Sequence, residues 1–336
     1  VEGLASGFAD DNDSARPRAG DTAGWDVRPE PSRIVAIGDL HGDLRAFGAI
    51  ARECGLVNER GSWCGGDTHL VLMGDLMGGA KSRLLLRAVM RLEREARRAG
   101  GRVHALLGNH DLQPVAGRFE LLTPSERRQY RKSDFRGEGP YAAWLRGRPT
   151  ILKIGATVFV HAGLDRWALD TDPAEVNAQV RAWIAHHQGT GPKPPKATRW
   201  AIDDERGPLW TRVFKARRRK PKHAPSRKTI REILERLGAE RIVLGHSPTR
   251  DGSIVTDHPH YGESVVLIDT RISDAERGRL GVLILEDGVL RTVYARDRAD
   301  GDALCEREAR DAARPTGFLR GVTAAIARFF GKTRTR

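Results

Sequence analysis

Cysteine is scarce: three residues (Cys54, Cys64 and Cys305) in 336, an odd number whose spacings match neither a disulfide framework nor a zinc site. That scarcity leads us to expect a reducing, cytoplasmic compartment. No run of roughly eighteen or more apolar residues occurs, which excludes a spanning helix. The opening residues lack the basic-then-apolar layout of a secretory signal, although the chain begins with Val and the sequence leaves open whether an export signal precedes it. Acidic residues are also in deficit, with 44 Asp and Glu against 57 Lys and Arg for a net charge of +13. Such a field draws anionic partners without identifying a reaction. The densest basic run, Lys215 to Lys222, has no aromatic residue interleaved, so nucleic acid is not an expected partner.

What is present is a globular pattern, with 39% hydrophobic residues. Residues 1–30 are acidic, rich in Asp, Gly and Pro, and read as a mobile leader. From Arg33 onward, short apolar runs alternate with helical periodicity: strands at 33–38, 69–74 and 102–107, helices at 43–54 and 82–99. This is the signature of βαβ units and of a sheet covered on both faces. Seven further strand-like runs between residues 150 and 294 predict a second sheet, interrupted by helices at 173–187 and 227–237. Between these helices, residues 188–226 form a Pro- and Lys-rich stretch read as a basic surface insertion. The expected fold is therefore α/β, two packed mixed sheets flanked by helices, over residues 31–298. Residues 299–336 read as a basic tail in which Phe318 to Lys332 forms an amphipathic helix, suited to the body of the protein, to an anionic membrane surface or to a partner helix.

Five short motifs follow predicted strands: Gly38-Asp39-Leu40-His41-Gly42, Gly74-Asp75, Gly108-Asn109-His110-Asp111, His161-Ala162-Gly163 and Gly245-His246-Ser247. Singly each is a turn. Together they place Asp, Asn and His at strand ends, where sheet proteins gather ligands. Carboxylate, amide oxygen and imidazole without thiolate suit first-row ions such as Mn, Fe or Zn. Six such groups exceed the needs of one tetrahedral ion and fit a pair, the arrangement that generates a nucleophile for phosphate-ester hydrolysis.

The series is similar to that of the calcineurin-like metallophosphoesterases, of the phosphoprotein phosphatase type. Trp63, Gly65 to Val71, Ala99 to His104 and Gly207-Pro208-Leu209-Trp210-Thr211-Arg212 further resemble bacterial Shewanella-like phosphatases. The resemblance implies Asp39 and His41 on one metal, Asp75 bridging, and Asn109, His161 and His246 on the other. It implies His110 as general acid and attack on a phosphomonoester by a hydroxide bridging two divalent ions. Phosphorylated proteins or small phosphoesters are the implied substrates.

One departure touches catalysis. Where that family reads Gly-Asp-x-x-Asp-Arg-Gly, this chain reads Gly74-Asp75-Leu76-Met77-Gly78-Gly79-Ala80-Lys81, without the Asp that orients the acid histidine and the Arg that grips phosphate. Asp111 is expected to help hold His110, and Arg212 to bind phosphate, with Lys81 and Arg83 as alternative sources of charge. A nucleotide or phosphodiester hydrolase, and a low-activity phosphatase that binds phosphorylated partners, remain open readings of the same residues.

Overall fold

The computed structural model describes residues 25–27, 29–273 and 275–313. The chain runs through β1 (Asp26–Val27), β2 (Arg33–Ile37), α1 (Leu44–Glu53), β3 (His69–Leu72), α2 (Ser82–Arg98) and β4 (Arg102–Ala105). There follow α3 (Asn109–Val115), α4 (Pro124–Gln129), α5 (Ala142–Arg146), β5 (Ile151–Ile154), β6 (Thr157–Val160), α6 (Pro173–Gln188) and α7 (Trp200–Asp203). The last elements are α8 (Arg227–Leu237), β7 (Arg241–Leu244), β8 (Val265–Leu267), β9 (Leu280–Glu286), β10 (Val289–Ala295) and α9 (Asp302–Ala313).

Two mixed five-stranded sheets result, ordered β10-β9-β2-β3-β4 and β1-β5-β6-β7-β8. The apolar runs form strands because both faces of each sheet are covered. Ile34, Ala36, Val71, Phe159, Val243 and Leu283 fill the layer between the sheets. Val35, Ile37, Leu70, Leu72, Val158 and Val160 belong to the core beneath the helices. The side-chain period of two sends alternate residues to opposite apolar layers, which explains why these strands read as continuous rather than alternating runs. Strands β2, β3 and β4 run parallel, as do β6, β7 and β8, so their carboxyl ends gather on one rim.

Several expectations need correction. The predicted strands at 280–285 and 289–294 do not extend the second sheet; β9 pairs antiparallel with β2 and completes the first. The run at 253–256 is not a strand and contributes one bridge, Val255 to Leu267. The leader is tied down at its end, because β1 pairs parallel with β5 and Asp26 meets the buried Lys153 at 3.3 Å. Residues 188–226 lie largely at the surface as expected, but their middle is anchored: Leu209 and Phe214 are fully buried, and Ala162 N donates to the Pro208 carbonyl at 2.9 Å.

The body of the protein also extends past residue 298. Helix α9 packs on α1 and α2 through buried Leu304, and Glu308, 2% exposed, accepts from Arg91 Nε at 2.7 Å. Its closely spaced charges leave it with little apolar periodicity in the sequence. The predicted amphipathic helix at Phe318 to Lys332 lies outside the described residues. Among those residues no helix is long and apolar enough to cross a membrane.

Candidate metal centre

All five motifs sit on the gathered rim, directly after β2, β3, β4, β6 and β7. Three of the residues expected to ligate metal, His41 (φ 43°), Asp75 (φ 49°) and His246 (φ 58°), adopt left-handed backbone conformations. Such strain in residues with a Cβ is retained where the surroundings enforce it, typically at functional sites. Here it turns three side chains inward.

Potential ligand atoms of His41, Asp75 and His110 lie within 4.8 Å of one another, and so do those of Asp75, His161 and His246. Asp75 belongs to both triplets. Its Oδ2 is 3.9 Å from His41 Nε2, and its Oδ1 is 3.5 Å from His161 Nε2. Three of the four surrounding imidazoles, those of His41, His161 and His246, are oriented through their other nitrogen. His161 Nδ1 meets the Met73 carbonyl at 2.8 Å, His41 Nδ1 that of Met77 at 3.2 Å, and His246 Nε2 that of Trp210 at 3.1 Å. A ring that donates one N–H to a carbonyl presents a bare lone pair on the opposite side, the usual support of a metal-binding histidine.

The donor set fits divalent cations on a further observation. His161 Nε2 lies 3.0 Å from Asn109 Oδ1, and the Nδ1 contact with a carbonyl leaves two lone pairs facing each other. Burial lowers the pKa of His161, so a proton is a poor bridge between them and a cation a good one. The carboxylates say the same. Burial, then Asp269 and Asp75, push Asp39 well above the ordinary range. Burial also raises Asp75, but His161, His110, His41 and His246 outweigh it and hold Asp75 ionised. Buried acids packed together without a fixed positive partner are what a bound cation stabilises.

Asp39 stands in neither triplet. Both its oxygens accept from His246 N at 3.0 Å, so it fixes the strained turn that presents His246. His110 opens α3, its backbone N donates to Asp75 Oδ1 at 2.8 Å, and its ring lies 4.9 Å from that of His41. Asp111 does not hold the His110 ring. Its oxygens accept from Met77 N at 2.9 Å and Gly108 N at 3.0 Å, clamping the two loops together. Burial, reinforced by Asp75, raises Asp111 to about 7.

The glycine pair now has a physical reason. A Cβ on Gly78, at φ +117°, would stand 2.7 Å from His41 Nδ1 and 3.3 Å from His110 Nδ1. One on Gly79 would overlap the His41 carbonyl at 1.9 Å. The loop backbone rests on the two histidines, where a side chain has no room. It is held there by Glu126, 1% exposed, which accepts from Gly78 N at 2.7 Å. Among the described residues no side chain hydrogen-bonds the His110 imidazole.

Of the suggested sources of charge, Arg83 is turned away, donating to the Gln129 carbonyl at 2.8 Å. Lys81 lies toward Cys305 of α9. Arg212 alone reaches the centre, its Nη1 donating to the His246 carbonyl at 2.8 Å. Sequence reasoning missed Asp269, buried two residues beyond β8, with Oδ1 accepting from Arg271 N at 3.1 Å and a pKa raised to about 6, chiefly by burial. The signal was available: like the other five motifs, it is a polar residue closing an apolar strand.

A double-sheet α/β fold with histidines and carboxylates gathered on one rim defines a metallophosphoesterase architecture. A family model for calcineurin-like phosphoesterases matches residues 32–250, and the chain belongs to that family. It is 26% identical over 268 residues to Shewanella-like protein phosphatase 2 of Arabidopsis thaliana, covering 65% of this chain and 66% of that protein. It is 27% identical over 255 residues to Shewanella-like protein phosphatase 1 of Plasmodium berghei (strain Anka), covering 72% and 67%. The chain thus spans about two thirds of the length of these relatives. The crystal structure of a cold-active protein-tyrosine phosphatase from a psychrophilic Shewanella species shares the fold, with a TM-score of 0.64 at 20% identity over 81% of this chain and 84% of that one.

Proposed function

We propose that the chain is a metal-dependent phosphatase that hydrolyses phosphomonoesters, with phosphoproteins as its substrate class. The observation that carries this reading is the pair of ligand triplets sharing Asp75. His41 and Asp75 would hold one divalent cation, with Asp39 behind them. Asp75, Asn109, His161 and His246 would hold the other. When bound, the ions supply an acidified water as nucleophile and positive charge for the phosphoryl oxygens. The protein supplies the rest. Arg212, fixed on the His246 carbonyl, steers and grips the phosphoryl group. His110 protonates the leaving oxygen, a role typically contributing about 10²–10⁴ in rate. The relatives described as protein phosphatases support phosphoproteins as the substrate class.

The His110 ring, which has no side-chain hydrogen bond among the described residues, and the Gly78-Gly79 pair favour a second reading, a slow enzyme that mainly binds phosphorylated partners. One experiment separates the two. Hydrolysis of p-nitrophenyl phosphate and of matched phosphotyrosine and phosphothreonine peptides is followed with added Mn²⁺, with metal content assayed on every sample. Turnover that falls at least about 10²-fold in both Asp75→Asn and His110→Asn, with metal lost only in the former, supports the phosphatase. Full metal content and phosphopeptide binding without turnover in the wild type would establish the binder instead.

A further inference from the structure

A cavity of about 440 Å³ opens beside the metal centre. Three segments wall it, and each is tied to the centre. Arg212, Lys215, Arg217 and Arg218 come from the anchored stretch whose Trp210 carbonyl orients His246. Arg250 follows His246 by four residues, and the neighbouring Thr249 donates its N–H to the Asp269 carbonyl at 3.0 Å. Arg271 donates its N–H to Asp269 Oδ1. Six cationic side chains thus line one concave space, and no carboxylate lines it. Among the described residues none of the six makes an ion pair.

Where arginines of this protein come together with carboxylates they pair with them, as Arg91 does with Glu308 and Arg148 with Glu93; this cavity gathers cations with no carboxylate in its lining. Six unpaired cations in one cavity repel each other, an arrangement that stabilises only when an anion enters. Burial, then Arg212 and Arg217, lower the pKa of Lys215, as that crowding requires. A single phosphoryl group carries at most two negative charges. With Arg212 assigned to the scissile phosphate, five cations are left for something else.

We propose that this cavity is a second anion subsite, which binds a phosphoryl or carboxylate group carried on the same peptide as the scissile phosphate. Preferred substrates are therefore phosphopeptides with a second acidic group, not isolated phosphorylated residues. The inference rests on the phosphoprotein reading above. A nucleic-acid strand is the poorer occupant because the lining has no aromatic side chain on which bases stack.

Binding tests the subsite apart from turnover. Three fluorescent peptides carry a non-hydrolysable phosphonate at the scissile position: one with neutral flanks, one with an added phosphoserine, and one with flanking Asp and Glu. Anisotropy titrations use the metal-loaded full chain. The phosphoserine should tighten binding about tenfold or more relative to the neutral peptide, and the acidic flank by less. Arg217→Ala/Arg218→Ala and Arg250→Ala should bring those ratios toward one. Arg227→Ala/Arg231→Ala, which removes equal charge from a different surface, should leave them intact.

Equal affinity for all three peptides, or ratios that survive the cavity substitutions, overturns the proposal. So does a single-stranded oligonucleotide that competes more strongly than the doubly phosphorylated peptide. Turnover of p-nitrophenyl phosphate by the wild type is measured alongside. Its absence overturns the hydrolase reading, while the binding ratios still decide the subsite.

Discussion

At the scale of single residues, the centre is built by letting backbone do what side chains do elsewhere. His41 is oriented by the Met77 carbonyl, His161 by that of Met73 and His246 by that of Trp210. The loop that carries Asp75 is then pressed onto His41 and His110, which leaves no space for a side chain at Gly78 or Gly79. Restoring the family residues should therefore fail. Gly78→Asp forces a Cβ into a left-handed backbone 2.7 Å from His41 Nδ1, and Gly79→Arg meets the His41 carbonyl. Each is expected to cost about 2 kcal/mol or more of stability and to lower activity. Urea unfolding and p-nitrophenyl phosphate assays check this, and a variant that gained activity would show that the loop is free to move aside.

At the scale of elements, two pairs of neighbours carry consequences that their sequences hide. Helix α9 is mostly polar, yet Leu304 is 1% exposed and Glu308 joins Arg91 in the groove over α1 and α2. Leu304→Ala is expected to destabilise the fold by about 2–4 kcal/mol while leaving metal content unchanged. Differential scanning calorimetry and metal analysis of one preparation test both halves of that statement.

The second pair is β3 and β4, which bring His69 Nδ1 to 3.2 Å from His104 Nε2. Burial, then Arg102, lowers His69 to about 4; burial, then His69, lowers His104 to about 3. Both folded values lie below the unfolded one, so the unfolded chain binds more protons under acid conditions. The stability these neutral rings allow is complete above about pH 6.5 and is lost as pH falls toward 4 and 3. Replacing His104 with Phe should remove part of that loss. Between pH 6 and 4 the variant should gain on the wild type with a limiting slope of about 1.4 kcal/mol per pH unit, read from denaturant midpoints. Parallel pH profiles would overturn the assignment.

At the scale of the whole molecule, part of the positive charge is gathered in one place, because six cationic side chains line a single cavity tied to the rim where carboxylates and histidines converge. Much of the fold and most of the centre were legible in the chain. The apolar strands β2, β3, β4, β6 and β7, and the Asp, Asn and His residues that close them, follow from local pattern, since a strand buried on both faces must be apolar throughout and must end in a polar turn. Asp269 followed the same rule and could have been read by it.

What the sequence alone could not determine is everything set by approach through space. The placement of β9 beside β2, the docking of α9, the role of Asp111 as a clamp and the close contact behind Gly78 and Gly79 depend on partners distant in the chain. The cationic cavity belongs with them: the basic run that begins at Lys215 is visible in sequence, but its meeting with Arg250 and Arg271 is not. Hydrophobic periodicity is a local property and survives in the sequence. Steric contact and electrostatic crowding depend on distances that exist only once the sheets have packed.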